Sequence, residues 1–335
     1  MDVQAVGRAL IRPGQLLTDR GAVSAVSRWT QALAEADGVC VIHLSAGVDP
    51  CELALELREQ GFRASPNHVL AGQPLFFGGP ASRPFPAEPV KARIGRERSG
   101  VTVGVLDTGV AEHPWWAGSQ WYGEHGGTAA EAVEGPQAGH GTFIAGLLLQ
   151  RAPEISLRVV RVLDGDGLGD EAGVVRALHR LRERPPQVLN LSFGCHTFDD
   201  RPPVLMADAA GAFGGETVVV ACAGNTASDR PFWPAALPGV IAVGALDAAG
   251  ERRAPFSAHG PWVDAWARGE WLASSFPQRE DFAGYALWSG TSFATALVSG
   301  AIAEAAGDRP PREAATAVLG SRQIPDLGAV VPANL

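Results

Sequence analysis

VTVGVLDTGV (101–110) decides the fold. Val101, Val103 and Val105 make a short apolar run that stops at Asp107, Thr108 and Gly109, as a buried strand stops at a polar turn. Working outward, four more runs have the same character: SLRVVRVL (156–163), QVLNLSFG (187–194), TVVVACAG (217–224) and GVIAVGAL (239–246). Helical patterns alternate with them: GHGTFIAGLLLQRA (139–152), DEAGVVRALHRLRER (170–184) and TSFATALVSGAIAEAAG (291–307). Continuous apolar strands separated by helices predict an α/β domain, a parallel sheet with helices on both faces, over residues 99–335. Such sheets take ligands at the carboxyl ends of their strands, so chemistry is sought just after strands and at helix starts.

Upstream the pattern differs. Residues 1–77 carry helical patterns at Gly21–Ala36 and Pro50–Gln60, a strand GVCVIHLS (38–45), and two further short strands, NHVLAG (67–72) and QPLFFG (73–78). That predicts a small α+β unit. Residues 78–98, GGPASRPFPAEPVKARIGRER, hold four prolines among charges and read as an extended linker.

Composition narrows the function classes. In 335 residues, 46% are hydrophobic and 19% charged, which allows a large core and excludes global disorder. A net charge of −9, with no basic run and Lys91 the only lysine, argues against a general nucleic-acid binder. No apolar run approaches the length of a membrane span. The first residues lack a basic segment followed by an apolar one, which predicts a cytoplasmic protein, or a secreted one if a signal was removed. Cys40, Cys51, Cys195 and Cys222 are too scattered for a disulfide scaffold or a zinc site and read as free buried thiols.

Three residues combine into a site. Asp107 ends a strand and precedes Gly109, so its carboxylate faces the crevice. His140 sits between Gly139 and Gly141 at the start of an apolar helix. Ser292 opens a helix of small residues, where backbone N–H groups can face developing negative charge. Taken singly, each could be a turn or cap residue. Together, in the order Asp, His, Ser, they point to nucleophilic catalysis at a carbonyl.

VGVLDTGV, HGTFIAG and GTSFATALVSG resemble the three signatures of the subtilisin-like serine proteases, and the resemblance runs from about Gly100 to Gly307. It implies a serine endopeptidase with Asp107, His140 and Ser292 as its triad and Asn225, in AGNTAS, as an oxyanion donor. It further implies that Ser192, Phe193 and Gly194 on one side, and Gly167, Leu168 and Gly169 on the other, pair with an extended peptide or protein substrate. No cofactor is implied for the reaction. Asp164, Asp166, Asp170 and Glu171 do not fit an EF-hand loop, and structural calcium is left open, as is the oligomeric state. Phe293 and Ala296 stand where better-known members carry Met and Pro. Phe232 and Trp233 are bulky residues at the first specificity pocket and would narrow it. Residues 1–77 have the size of a propeptide that is cut off in the following stretch, with a retained accessory domain as the alternative. Precursor maturation, peptide ligation or cyclisation through the same acyl-enzyme, and a non-catalytic peptide-binding fold are further readings of the function.

Overall fold

The computed structural model describes residues 2–72, 83–95, 99–125, 134–279 and 281–335. The N-terminal unit runs β1 (Gln4–Val6), β2 (Ala9–Thr18), β3 (Thr30–Ala36), β4 (Val39–Leu44), α1 (Pro50–Glu59) and β5 (Ala64–Ala71). After β6 (Phe85–Pro86) come β7 (Thr102–Asp107), α2 (Gln120–His125), α3 (His140–Arg151), β8 (Ser156–Arg161), β9 (Leu168–Asp170), α4 (Glu171–Leu181), β10 (Val188–Leu191), α5 (Val204–Gly211), β11 (Val218–Cys222) and β12 (Val240–Leu246). The chain closes with β13 (Ala265–Arg268), β14 (Leu272–Arg279), β15 (Phe282–Trp288), α6 (Thr291–Ala305), α7 (Pro311–Leu319), β16 (Gln323–Ile324) and β17 (Gly328–Val331).

The central sheet has the order β8-β7-β10-β11-β12-β13-β17, parallel throughout, with β16 added antiparallel at one edge. Its inner strands β7, β10, β11 and β12 are buried on both faces, the reason they read as unbroken apolar runs. One core joins Val103, Val105 and Val220 to α3 and α6 through Phe143, Leu147, Phe293 and Leu297. The opposite core joins Leu106, Leu189 and Val219 to α4 and α5 through Val174, Leu178 and Met206. Helices therefore cover both faces, as the sequence predicts.

Two parts of the N-terminal unit differ from expectation. The predicted helix at Gly21–Ala36 is instead two short 3-10 turns over Arg20–Trp29 followed by strand β3. Asp37 and Gly38 both have left-handed φ (50° and 78°), forming a tight hairpin that pairs β3 with β4. Cross-strand pairing thus overrides the helix propensity of the alanines, and β3 lies exposed at the sheet edge. NHVLAG falls within β5, which extends further upstream to Ala64. QPLFFG lies wholly outside the described residues, as do residues 78–82 and 96–98 of the expected linker. The described part of the linker is not uniformly extended and free: β6 pairs with β15.

The two units share one sheet. Its order is β3-β4-β2-β5-β9, so β9 of the larger domain adds antiparallel to β5 of the smaller. Around that seam, Glu171 is fully buried, with Oε2 2.7 Å from His68 Nδ1 and Oε1 accepting from Ser65 Oγ at 3.0 Å. Arg58 Nη1 donates to Asp199 Oδ2 at 2.8 Å. A buried carboxylate met on both oxygens fixes the seam geometry, because any displacement strands its charge away from water.

Candidate active site

Asp107 is the last residue of β7, fully buried at the strand's carboxyl end. Its Oδ1 accepts from the Thr108 N–H at 2.8 Å and lies 2.7 Å from His140 Nδ1. His140 is the first residue of α3. Gly139 before it has φ of 100°, a conformation that disfavours any side chain, and a Cβ there would overlap the Phe276 ring. Gly141 after it lets α3 approach the β7 turn so closely that a Cβ would overlap the Gly109 carbonyl oxygen. The two glycines therefore serve to press His140 against Asp107. The imidazole packs edge-on against Trp288 at 5.6 Å and beside Phe293 at 5.5 Å. With Nδ1 held by Asp107, Nε2 is left buried with no hydrogen-bond partner among the described residues.

Ser292 is the second residue of α6, fully buried at the helix N-terminus. Its Oγ lies 3.0 Å from the carbonyl oxygen of Gly72 and 3.1 Å from that of Ser192. Ser192 Oγ donates in turn to the Ser292 carbonyl at 3.1 Å. Asn225 follows β11, and its Oδ1 accepts from both the N–H and the hydroxyl of Thr291 at 2.8 Å. That double anchor fixes the carboxamide with its oxygen toward α6. Asn225 lines a cavity of about 370 Å³ that also contacts Gly72. Cys222, one of the cavity-lining residues, has its thiol pushed up to about 12 by burial, opposed by hydrogen bonds from Ser292, Thr291 and Gly224. It is a neutral thiol at any physiological pH.

Four of the six expected substrate-pairing residues, Gly167, Leu168, Gly169 and Gly194, pair with a segment of the chain itself, while Ser192 contacts Ser292. Leu70 pairs with Gly169 and Ala71 with Leu168 across the β5–β9 ladder. On the other edge, Ala71 N–H donates to Gly194 O at 2.9 Å and Gly194 N–H to Ala71 O at 3.1 Å. Gly72 N–H donates to Gly167 O at 2.9 Å. Phe193 differs: its side chain is fully buried in the α4–α5 core and turns away from the groove. Residues 70–72 thus lie as a central strand, led by β5 to the hydroxyl of Ser292. Sequence reasoning missed this occupant, whose only local signal is an apolar run ending in Gly72. It missed Trp288 as well, which stands on a hairpin, β14–β15, not read from the sequence.

The acidic loop is accounted for locally. Asp164 Oδ1 accepts from the N–H groups of Asp166 and Leu168 at 3.0 Å each, and Asp170 caps α4 through Gly173 N–H at 2.8 Å. Among the described residues, no group of three or more His, Cys, Asp or Glu could hold a metal ion. No helix among them is long and apolar enough to cross a membrane.

Comparison with known proteins gives a concordant picture. The family model described as the subtilase family matches residues 98–318. A thermophilic serine proteinase of Bacillus sp. (strain AK1) is 34% identical over 216 residues, covering 60% of this chain and 51% of that protein. Thermitase of Thermoactinomyces vulgaris is 33% identical over 217 residues, covering 61% of this chain and 74% of thermitase. The match thus spans about half of the first relative and about three quarters of the second. Among solved structures, the prenylagaramide maturation protease PagA superposes with a TM-score of 0.56 at 25% identity, covering 68% of this chain and 84% of that one.

Proposed function

This chain belongs to the subtilase family, and on that premise we propose that it is a serine endopeptidase whose N-terminal unit occupies its own substrate groove. The observation that supports the reading is that Ser292 Oγ lies 3.0 Å from the Gly72 carbonyl oxygen while the Asp107–His140 pair lies beside the same residue. In the reaction, Ser292 Oγ bonds to the carbonyl carbon of a substrate while its proton passes to His140 Nε2. Asp107 holds the imidazole with Nε2 as the accepting nitrogen and stabilises the imidazolium that results. The tetrahedral oxyanion accepts hydrogen bonds from the Ser292 N–H and Asn225 Nδ2. Collapse expels the amine, which takes the proton from His140, and water resolves the acyl-enzyme by the same path in reverse. No metal or cofactor enters these steps.

The occupied groove explains why Nε2 lacks a partner. Ser292 Oγ is engaged with the Gly72 and Ser192 carbonyls, so the hydroxyl is drawn away from His140 while residues 70–72 are seated. Residues 1–77 accordingly act as an intramolecular inhibitor, and cleavage or displacement downstream of Gly72 would free the site. The likeness to PagA favours precursor maturation as the physiological task, one defined peptide rather than bulk protein.

Intact mass spectrometry before and after a fluorophosphonate probe, with Ser292→Ala in parallel, tests the reading. An adduct present in the parent and absent from the variant is the expected result, together with loss, in the parent alone, of an N-terminal fragment that ends in the stretch beyond Gly72. A free N-terminal unit with no adduct on Ser292 under any condition, including after its displacement, would refute it.

A further inference from the structure

Side chains on a strand alternate between faces, and the seated segment shows which face meets which pocket. A Cβ on Gly72 would lie 3.2 Å from Leu163 Cδ1 and 3.5 Å from His140 Cε1. A substrate residue placed like Gly72 therefore points at His140. Ala71, one position before, lines a cavity with Gly194, Gly224 and Asn225, and strand alternation sends a substrate residue that follows the Gly72 position to that same side. The slot between Gly194 and Gly224 there is not empty. An added Cβ on Gly194 would overlap the Phe232 ring, and one on Gly224 would meet the ring at 3.0 Å. The ring lies against both walls at once and closes the inner end of the slot, leaving the cavity of about 370 Å³ in front of it.

Phe232 is held there. It is 7% exposed and packs edge-on against His196 at 5.3 Å, whose Nδ1 is 2.9 Å from the Pro231 carbonyl. Its neighbour Trp233 is fixed by a two-way backbone pairing with Cys195 at 2.8 and 2.9 Å. Trp233 turns its own side chain into the α4–α5 core, so of the two bulky residues only Phe232 reaches the slot. In front of the ring the remaining cavity is lined mainly by apolar groups, and its one ionic side chain, Arg8, comes from the N-terminal unit.

Resting on the protease reading, we propose that Phe232 is the specificity-determining residue of this site, flooring the first pocket so that only short, uncharged side chains fit before the scissile bond. Glycine, alanine and serine stop short of the ring. Phenylalanine, tyrosine, lysine and arginine reach between Gly194 and Gly224 and collide with it. Two positions earlier than that residue the groove sets no such limit on Ala71, and one earlier still it buries Leu70 completely. The preferred substrate is therefore a bulky aliphatic residue, then an unrestricted one, then two small ones, with cleavage after the last.

The test uses acetyl-Leu-Ala-Gly-X p-nitroanilides, with X as Gly, Ala, Leu or Phe, on the full chain carrying Ala71→Pro to unseat residues 70–72. Phe232→Gly and Phe232→Ala are compared in that background. The expected result is a kcat/KM for X = Ala at least 100-fold above that for X = Phe. Phe232→Gly should raise the X = Phe value at least tenfold, and Phe232→Ala should raise X = Leu. Turnover of X = Phe within a few-fold of X = Ala overturns the proposal, as does an unchanged ratio in both Phe232 variants. Release from no peptide while Ser292 still takes a fluorophosphonate also overturns it, because the short side chains should pass. Release from none together with no labelling of Ser292 removes the protease reading itself, and this inference with it.

Discussion

Replacing Ala71 by proline separates an occupied groove from an open one. Ala71 donates its N–H to the Gly194 carbonyl at 2.9 Å, at the end of β5, where the strand is paired on both edges. Proline has no N–H, and its ring does not fit a central strand. The Gly194 carbonyl is buried, so losing its donor costs ~1–3 kcal/mol. Adding the steric penalty of the ring, the seated state is destabilised by roughly 2–4 kcal/mol, since a misplaced proline alone costs more than a weak hydrogen bond. At about 1.4 kcal/mol per tenfold, the open population rises roughly 30- to 700-fold. Leu70 is already extended, so the restriction that proline places on its predecessor adds nothing. The second-order rate of fluorophosphonate labelling at Ser292 reports the open population directly, with Ser292→Ala as the blank and circular dichroism as a check on folding. A rate in Ala71→Pro within threefold of the parent, with the fold intact, would refute the idea that residues 70–72 close the site.

Asn225→Ala should lower kcat by ~10²–10³ with little change in KM, the cost known from subtilisin for removing one oxyanion donor; steady-state kinetics on any cleaved peptide check this, and a KM-only effect would deny it that role. Cys222 should resist iodoacetamide at pH 8 in the folded chain, because burial holds its thiol at about 12, and react on unfolding in guanidinium; mass spectrometry counts the adducts. His113 has its pKa lowered, chiefly by burial, with the hydrogen bond to Gly284 O opposing. A depressed folded value means that its stabilising contribution is complete above the unfolded value of about 6.5 and is lost as pH falls through the folded one. His113→Gln should therefore lose less Tm than the parent between pH 7.5 and pH 5; an equal loss would show that His113 does not govern the acid limb.

Much of the larger domain is legible from local chemistry. β7, β10, β11 and β12 are short apolar runs because both faces of each are covered, and no other environment tolerates such runs. Asp107, His140 and Ser292 carry their own markers, a strand end or a helix start with glycine beside it. The smaller unit is less legible. TQALAEA (30–36) has helical composition, and only the Asp37–Gly38 turn and the pairing with β4 make it a strand. The hairpin β14–β15 was equally silent, since its residues alternate weakly and its partner β6 is far away in sequence.

By itself the sequence determined the parallel sheet with helices on both faces and marked Asp107, His140 and Ser292 as residues at a strand end and two helix starts. Those depend on burial pattern and turn chemistry within a few residues, which composition and spacing record. Only the tertiary structure decided that β5 enters the groove, that His68 and Ser65 meet Glu171, that Phe193 turns inward and that Phe232 stands between Gly194 and Gly224. Most of these join residues far apart in sequence, Ser65 and Glu171 by 106 positions and Gly72 and Ser292 by 220, or depend on which face of a strand is turned inward. Register and packing settle such choices, because shifting a strand by one residue exchanges its faces while leaving every local preference unchanged.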